Sequence, residues 1–184
     1  MKKLFLSIVI AVIGFTTISA QGIKIGAKAG INFADNSGDG ELNEGTTSKT
    51  GIHLGGVVQL GIKEKFELQG ELLYSMQGFK DGATHKLDYI NLPITANYFV
   101  IESLSIQAGP QFGFNINDTF EDDLGSGSLN AEGFDLAVIF GAQYQFPTGL
   151  FVQGRYQLGL IDFLDYDSPS KHTVLSFSVG YFFY

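Results

Sequence analysis

The sequence predicts an all-β fold, an eight-stranded antiparallel up-and-down transmembrane β-barrel. Three observations lead to this prediction. Eight segments alternate apolar residues with polar or small ones at every second position, which is the period of a strand with two unlike faces. The connections between them alternate between long and short, as in a barrel with loops at one rim and tight turns at the other. A short apolar stretch precedes the first segment.

The first twenty residues have the pattern of an export signal. Lys2 and Lys3 give a positive start, an apolar run follows over Leu4–Phe15, and Ala20 supplies a small residue at the cleavage point. This run is short of the roughly 20 residues that a membrane-spanning helix needs. We therefore expect a cleaved signal peptide at residues 1–20 and an outer-membrane β-barrel domain at residues 21–184.

Composition excludes several kinds of site. The 184 residues include no cysteine, which excludes disulfides, zinc–cysteine sites, a thiol nucleophile and a lipid anchor on cysteine. Without Lys2 and Lys3, 9 basic residues stand against 19 acidic ones, a net charge of −10, and this disfavours nucleic acid as a partner. Charged residues are only 16% of the chain, compared with about a quarter in soluble domains, so few remain to coat a water-facing exterior.

The first four predicted strands are Gly22–Phe33, Gly51–Ile62, Phe66–Phe79 and Leu87–Phe99. The first alternates without a break, which a helix would not give. In the second, Gly56 interrupts the apolar face and Val57 interrupts the polar one. In the fourth, Pro93 cannot donate to a ladder, so we expect a bulge or a missing bond there.

The last four predicted strands are Leu104–Ile116, Phe134–Phe146, Leu150–Leu160 and Val174–Tyr184. In the eighth, apolar residues alternate with small, mostly polar ones, and the strand ends in aromatic residues, as the closing strand of an outer-membrane barrel does. The predicted long loops are Ala34–Thr50, Lys80–Lys86, Asn117–Gly133 and Ile161–Lys171. The predicted short turns are Lys63–Lys65, a turn near Glu102, and Pro147–Gly149.

Alternation alone does not say which face points outward, because a soluble lipocalin-type barrel has its greasy face inside. Here the polar face is mostly Gly, Ser, Asn, Gln and Thr. Such a face would be a poor coat against water, but it suits the narrow interior of an eight-stranded barrel. The apolar face is rich in Phe, Tyr, Leu and Ile, and several aromatics fall near strand ends, where interfacial girdles form. We therefore predict that the apolar face meets lipid.

Charged residues on the predicted lumenal face form a candidate site. Counted from the short-turn rim, Lys28, Glu71 and Arg155 lie at similar heights, and Lys24 and Glu67 lie lower. Because buried charges need partners, we expect Glu71 to bridge Arg155 and Lys28. The glutamines expected to pad this network are Gln59, Gln69, Gln107, Gln153 and Gln157. The network would act as a plug or gate, or would simply fill a closed interior.

Metal binding and catalysis have little support in the sequence. The segment Asp35–Gly40 matches the first half of a calcium loop, but Thr46 stands where a bidentate Glu is expected. The acidic run Asp118–Asp123 reads as a solvated loop, although its carboxylates can still bind divalent ions that bridge lipopolysaccharide. The three histidines, near the predicted loop rim and in no recognisable catalytic setting, are His53, His85 and His172. We predict no enzymatic activity, no cofactor and no metal site.

The chain resembles the small outer-membrane β-barrel family of Bacteroidetes-type bacteria, often labelled porin-family or PorT-like. The segments that carry this resemblance are the Ala20–Gln21 junction, YINLPITANY at Tyr89–Tyr98, AGPQFGF at Ala108–Phe114, RYQLGL at Arg155–Leu160, and the closing SVGYFF. The resemblance implies the barrel fold and the outer membrane of a Gram-negative cell. The PorT name itself refers to a component of a secretion system.

The function predicted from these features is structural, or an interaction at the cell surface through long acidic loops. The alternatives are a narrow porin-like channel for small solutes, a component of a secretion apparatus, and a soluble lipid-binding barrel in the periplasm. The expected partners are outer-membrane lipid and lipopolysaccharide, the barrel assembly machinery, and an unidentified surface ligand. We expect a monomer.

Overall fold

The computed structural model describes residues 22–38, 47–80, 84–122, 125–128, 133–160 and 170–183. The predicted signal peptide lies outside these ranges. The strands, in chain order, are β1 Ile23–Gly38, β2 Thr47–Lys63, β3 Phe66–Lys80, β4 Thr84–Ile101, β5 Leu104–Asp122, β6 Gly125–Ser128, β7 Phe134–Gln145, β8 Leu150–Gly159 and β9 Ser170–Phe183.

Eight of these strands close into one antiparallel barrel, as predicted. Consecutive strands pair around the ring, β5 pairs with β7, and β1 pairs with β9 to complete it. The short β6 pairs with β5 alone and lies outside the ring. The seam between β1 and β9 runs in register from Ile25 opposite Phe183 to Gly38 opposite Ser170. We call the end with the tight connections β2–β3, β4–β5 and β7–β8 the short-turn rim, and the other end the loop rim.

The two faces of the sheet differ as the sequence predicted. Large apolar side chains on the outer face are exposed on every strand of the ring; for example, Phe140 is 50% and Leu72 is 59% exposed. The inner face carries mostly buried amides, hydroxyls and charges, with a smaller number of buried apolar side chains such as Val57, Ile139 and Phe151. Aromatic pairs lie on the outer face at both ends, such as Phe66 with Tyr98 near the short turns and Phe114 with Phe134 toward the loops. This pattern suits a lipid-facing exterior.

Several strands extend beyond the predicted limits at the loop rim. β1 continues to Gly38, and β2 begins at Thr47. The predicted loop Lys80–Lys86 is mostly strand, since β3 ends at Lys80 and β4 begins at Thr84. β5 continues to Asp122 and pairs with β6, so the predicted loop Asn117–Gly133 is also partly strand. The predicted limits at the loop rim were therefore too short for β1, β2, β4, β5 and β9, because backbone pairing continues into segments that lack the apolar alternation.

Two local expectations were confirmed. Next to Pro93 the β3–β4 ladder passes from Gly70 opposite Ile94 to Leu73 opposite Asn91, so pairing is interrupted there. The predicted Pro147–Gly149 turn joins β7 to β8, and Gly149 has a φ of 91°. This left-handed conformation is costly for any residue with a Cβ. The amide of Gly149 donates to Phe146 O at 3.0 Å, and its carbonyl accepts from the amide of Phe182 at 2.9 Å.

Candidate functional site: the lumenal charge network

Three charged side chains from three strands meet inside the barrel. Lys28 on β1, Glu71 on β3 and Arg155 on β8 are 4%, 3% and 5% exposed. The Lys28 Nζ lies 2.7 Å from Glu71 Oε2, and Arg155 Nη2 lies 2.6 Å from Glu71 Oε1. Arg155 Nη1 also donates to Glu71 Oε2 at 2.9 Å, so the guanidinium binds the carboxylate in a bidentate manner. The structure thus brings together the three residues that the sequence placed at one height; we call them the lumenal triad.

Glutamines hold the triad from below and from the sides. Lys28 Nζ donates to Gln153 Oε1 at 2.7 Å, and Arg155 Nε donates to Gln107 Oε1 at 3.1 Å. Gln69 Nε2 donates to Glu71 Oε1 at 2.5 Å. These partners come from strands β3, β5 and β8, so the triad is tied to the wall of the barrel on several sides.

A layer of amides continues toward the short-turn rim. Gln143 Oε1 accepts from Gln153 at 2.8 Å, from Gln107 at 3.1 Å and from Gln69 at 3.4 Å. Gln59 is fully buried and accepts from Gln145 at 3.0 Å. Of the glutamines named from the sequence, Gln69, Gln107 and Gln153 contact the triad. Gln59 lies below it, and Gln157 bonds instead to Gln111 at 2.7 Å.

Lys24 and Glu67 form a second, more accessible ion pair below the triad. Lys24 Nζ lies 3.0 Å from Glu67 Oε1, and their side chains are 28% and 15% exposed. Lys24 also donates to Gln145 Oε1 at 3.2 Å. This pair stays separate from the triad, at the lower height that the sequence predicted.

An apolar cluster inside the lumen was missed by the sequence analysis. Val57, Phe151 and Phe182 are at most 1% exposed, and the two rings lie 4.7 Å apart between centroids. The Phe151 ring occupies the place where a side chain at Gly180 would be. Two aromatics on an otherwise polar face, beside a glycine of the next strand, were the available signal.

A small cavity lies on the loop-rim side of the triad. Its volume is about 20 Å³, which is room for about one water molecule. Along every strand, its lining residues lie at the height of the triad or further toward the loop rim. Its lining includes Lys28, Asn32, His53, Arg155, Gln157 and Ser176.

The histidines are not arranged for catalysis within the described side chains. His53 was expected near the loop rim but is buried in the lumen, because β2 begins well before it, at Thr47. Its Nδ1 lies 2.8 Å from Asn32 Oδ1, and its Nε2 lies 2.8 Å from Ser178 Oγ. A carbonyl oxygen only accepts, so Nδ1 carries a proton. His85 lies on β4 and His172 on β9, at positions whose side chains lie outside the description.

The calcium-loop match does not form a site in the described residues. Asp35 and Ser37 belong to the extended strand β1, while Asp39 and Gly40 lie outside the description, as does part of the acidic run Asp118–Asp123. In the described part of the chain, no group of three or more histidines or carboxylates is placed to hold a metal ion. None of the described residues forms a helix long and apolar enough to cross a membrane.

Comparisons with known proteins agree with this geometry. Residues 19–165 match the family model described as "Outer membrane protein beta-barrel domain". A comparison with curated protein sequences gives no significant match.

Several solved structures share the fold. Ail, the attachment invasion locus protein of Yersinia pestis, crystallised with the heparin analogue sucrose octasulfate, has a TM-score of 0.58 at 17% identity, over 88% of this chain and 99% of Ail. Neisserial surface protein A has a TM-score of 0.55 at 15% identity, over 87% and 96%. OprG of Pseudomonas aeruginosa has a TM-score of 0.53 at 15% identity, over 89% and 97%.

Proposed function

Because the chain belongs to the outer membrane protein beta-barrel domain family, it is an integral β-barrel of the cell outer membrane, and we propose that it acts there without catalysis, as a structural or surface-interaction protein. In such barrels the short turns lie on the periplasmic side and the longer loops face outward. The loop rim of this barrel is then the part available to a partner outside the cell.

The observation that carries this proposal is the filled lumen. Lys28 and Arg155 both bond to Glu71 across the barrel, amides occupy the layer below, and Phe151 packs against Phe182 nearer the short-turn rim. Gln59, Gln69 and Gln143 in that layer have no exposed surface. A barrel of eight strands has an interior just wide enough for side chains. The filled lumen supports a role at the outer rim rather than through the interior.

The charge of the loop segments favours a cationic partner. Removal of the predicted signal leaves a net charge of −10, and aspartates and glutamates are frequent in the predicted loops. The polyanion in the Ail structure would be repelled by such loops, so that ligand is not a guide to the partner of this chain. We expect a basic protein surface, or divalent ions that bridge to lipopolysaccharide.

The assignment to the PorT-like barrels of Bacteroidetes-type bacteria is also a proposal, supported by where its motifs lie. Arg155 of the RYQLGL motif supplies the bidentate grip of the triad. Pro93 of the YINLPITANY motif lies at the break in the β3–β4 ladder. These two motif positions therefore have structural roles in this barrel. A role in a secretion apparatus has no support beyond the family label.

A narrow channel is the second candidate, because most of the side chains that face the lumen are polar. Ion conductance across a planar bilayer tests the choice. We expect no step currents from the wild-type barrel, and none from Lys24→Gln, which removes the lower ion pair and the bond to Gln145 but leaves the triad in place. Regular step currents from the wild-type protein would reject the filled-lumen proposal and favour the channel.

A further inference from the structure

We propose that the lumen contains a binding site for one small monovalent anion, such as chloride, in the cavity beside the lumenal triad. This inference does not depend on the proposed surface role. It rests on three observations about that cavity: the charge around it, the unused hydrogen-bond donors, and its size.

The charge of the triad is unbalanced. Lys28 and Arg155 are both cations, and Glu71 is their one shared carboxylate. Glu67, lower in the lumen, is engaged by Lys24. Asp135 lies toward the loop rim, opposite Gly113 in the β5–β7 ladder, and does not line the cavity. The triad therefore retains one positive charge in a buried place, where an uncompensated charge is costly.

Donors on the two cations exceed the acceptors around them. Arginine has five N–H groups and lysine has three. Arg155 uses three of its N–H groups, two on Glu71 and one on Gln107. Lys28 uses two, on Glu71 and on Gln153. Among the described residues, three N–H groups of these buried cations are thus left without a protein acceptor.

The cavity wall matches an anion rather than a cation. Lys28 and Arg155 line it, but among the described residues no carboxylate does. Gln157 also lines it, and since its Oε1 accepts from Gln111, its amide N–H groups stay available. An anion here would receive hydrogen bonds from charged donors, which are the stronger kind.

The size of the cavity selects among anions. A volume of about 20 Å³ suits one water molecule or a monatomic ion of similar size. Sulfate, phosphate and organic acids are too large. A halide fills the space, accepts from several donors at once and brings the net charge of the cluster to zero, whereas a water molecule would leave the positive charge in place.

The test is urea unfolding of the refolded barrel with chloride exchanged for gluconate at constant ionic strength. A ligand that binds only the folded state raises the ratio of folded to unfolded protein by 1 + [L]/Kd. For one site we expect that ratio to rise about tenfold for each tenfold increase in chloride above the dissociation constant. Sulfate should give no such increase.

Lys28→Gln and Lys24→Gln are the matched pair of variants. Lys28→Gln removes the excess charge but keeps the Arg155–Glu71 pair, so its stability should no longer depend on chloride. Lys24→Gln removes a lumenal lysine that does not line the cavity and should keep the full dependence. A wild-type barrel insensitive to chloride, or equal sensitivity in both variants, would overturn the proposal.

A direct measurement covers the case in which Lys28→Gln does not fold. Crystals of the wild-type barrel grown in bromide should show an anomalous peak within hydrogen-bond distance of Lys28 Nζ and the Arg155 guanidinium. A map with no peak in the cavity at full bromide exchange would also overturn it.

Discussion

Ser176 and Phe177 are neighbours on β9, but their side chains enter two different environments. Ser176 lines the cavity beside Lys28 and Arg155, whereas Phe177 is 49% exposed on the face that meets lipid. On the inner face each polar group depends on particular partners, because few alternatives exist in a closed space. On the outer face lipid chains can adapt to many apolar side chains. The stability of the barrel therefore depends on the particular side chain at each inner position. At most outer positions it depends only on whether the side chain is apolar.

The largest loss in the free energy of unfolding should come from a substitution at the centre of the lumen. Glu71→Gln keeps the side-chain size but leaves two buried cations without their carboxylate. Breaking a buried ion pair in this way typically costs about 3–5 kcal/mol, and we expect a loss of this size in the free energy of unfolding, measured by urea titration in lipid or micelles.

Two further glutamate variants sharpen that result. Glu67→Gln removes the carboxylate of the partly exposed pair with Lys24 and should cost below about 1 kcal/mol. Glu64→Gln, in the exposed turn after β2, should change nothing measurable. If all three variants lose the same stability, the triad has no special part in holding the barrel.

A charge on the outer face should have the next largest effect. Phe140 lies midway along β7 and is exposed to lipid. Phe140→Arg should lower the free energy of unfolding by about 2–4 kcal/mol, the range for arginine at the bilayer midplane of a barrel. Phe140→Leu stays apolar and should come close to the wild-type value. Equal losses in both variants would mean that this face is packed specifically, like the lumen.

The smallest expected difference in stability is between the loss of one aromatic side chain from the inner face and the loss of one from the outer face. Phe182→Ala empties space in the lumen beside Phe151, and cavities inside a packed protein carry an added cost. Phe177→Ala leaves a gap that lipid chains can fill. We expect Phe182→Ala to lose about 1–2 kcal/mol more than Phe177→Ala in the same unfolding assay. A greater loss in Phe177→Ala would reverse the comparison.

The sequence predicted the barrel well because its membrane-crossing part must alternate. Lipid on one side and a narrow lumen on the other require apolar and polar residues to alternate along each strand. The order of strand pairing, and the lumenal position of Glu71 and Arg155, could therefore be predicted from the sequence. Beyond that part, a strand segment such as Thr84–Lys86 consists of polar residues, and no periodic signal marks it as strand. For this reason the predicted strands were too short at the loop rim.

Inside the lumen, polarity was predictable and packing was not. The positions of Lys28, Glu71 and Arg155 follow from counting residues along strands. The stacking of Phe151 on Phe182 depends on the shape of the interior around Gly180, which no count along one strand reveals. The same holds for the cavity, whose walls come from residues far apart in the chain.

The seam between β1 and β9 has a consequence for the order of folding. It joins Ile25 to Phe183 and continues to Gly38 opposite Ser170, so the first strand of the ring finds one of its two neighbours only when the last strand is present. Pairing between two strands so far apart in the sequence costs loop-closure entropy before the contacts between them form, and this slows folding. The ring therefore cannot close while the chain is still being exported. Until then β1 keeps one edge unpaired and open to other strands, so it must be shielded in transit.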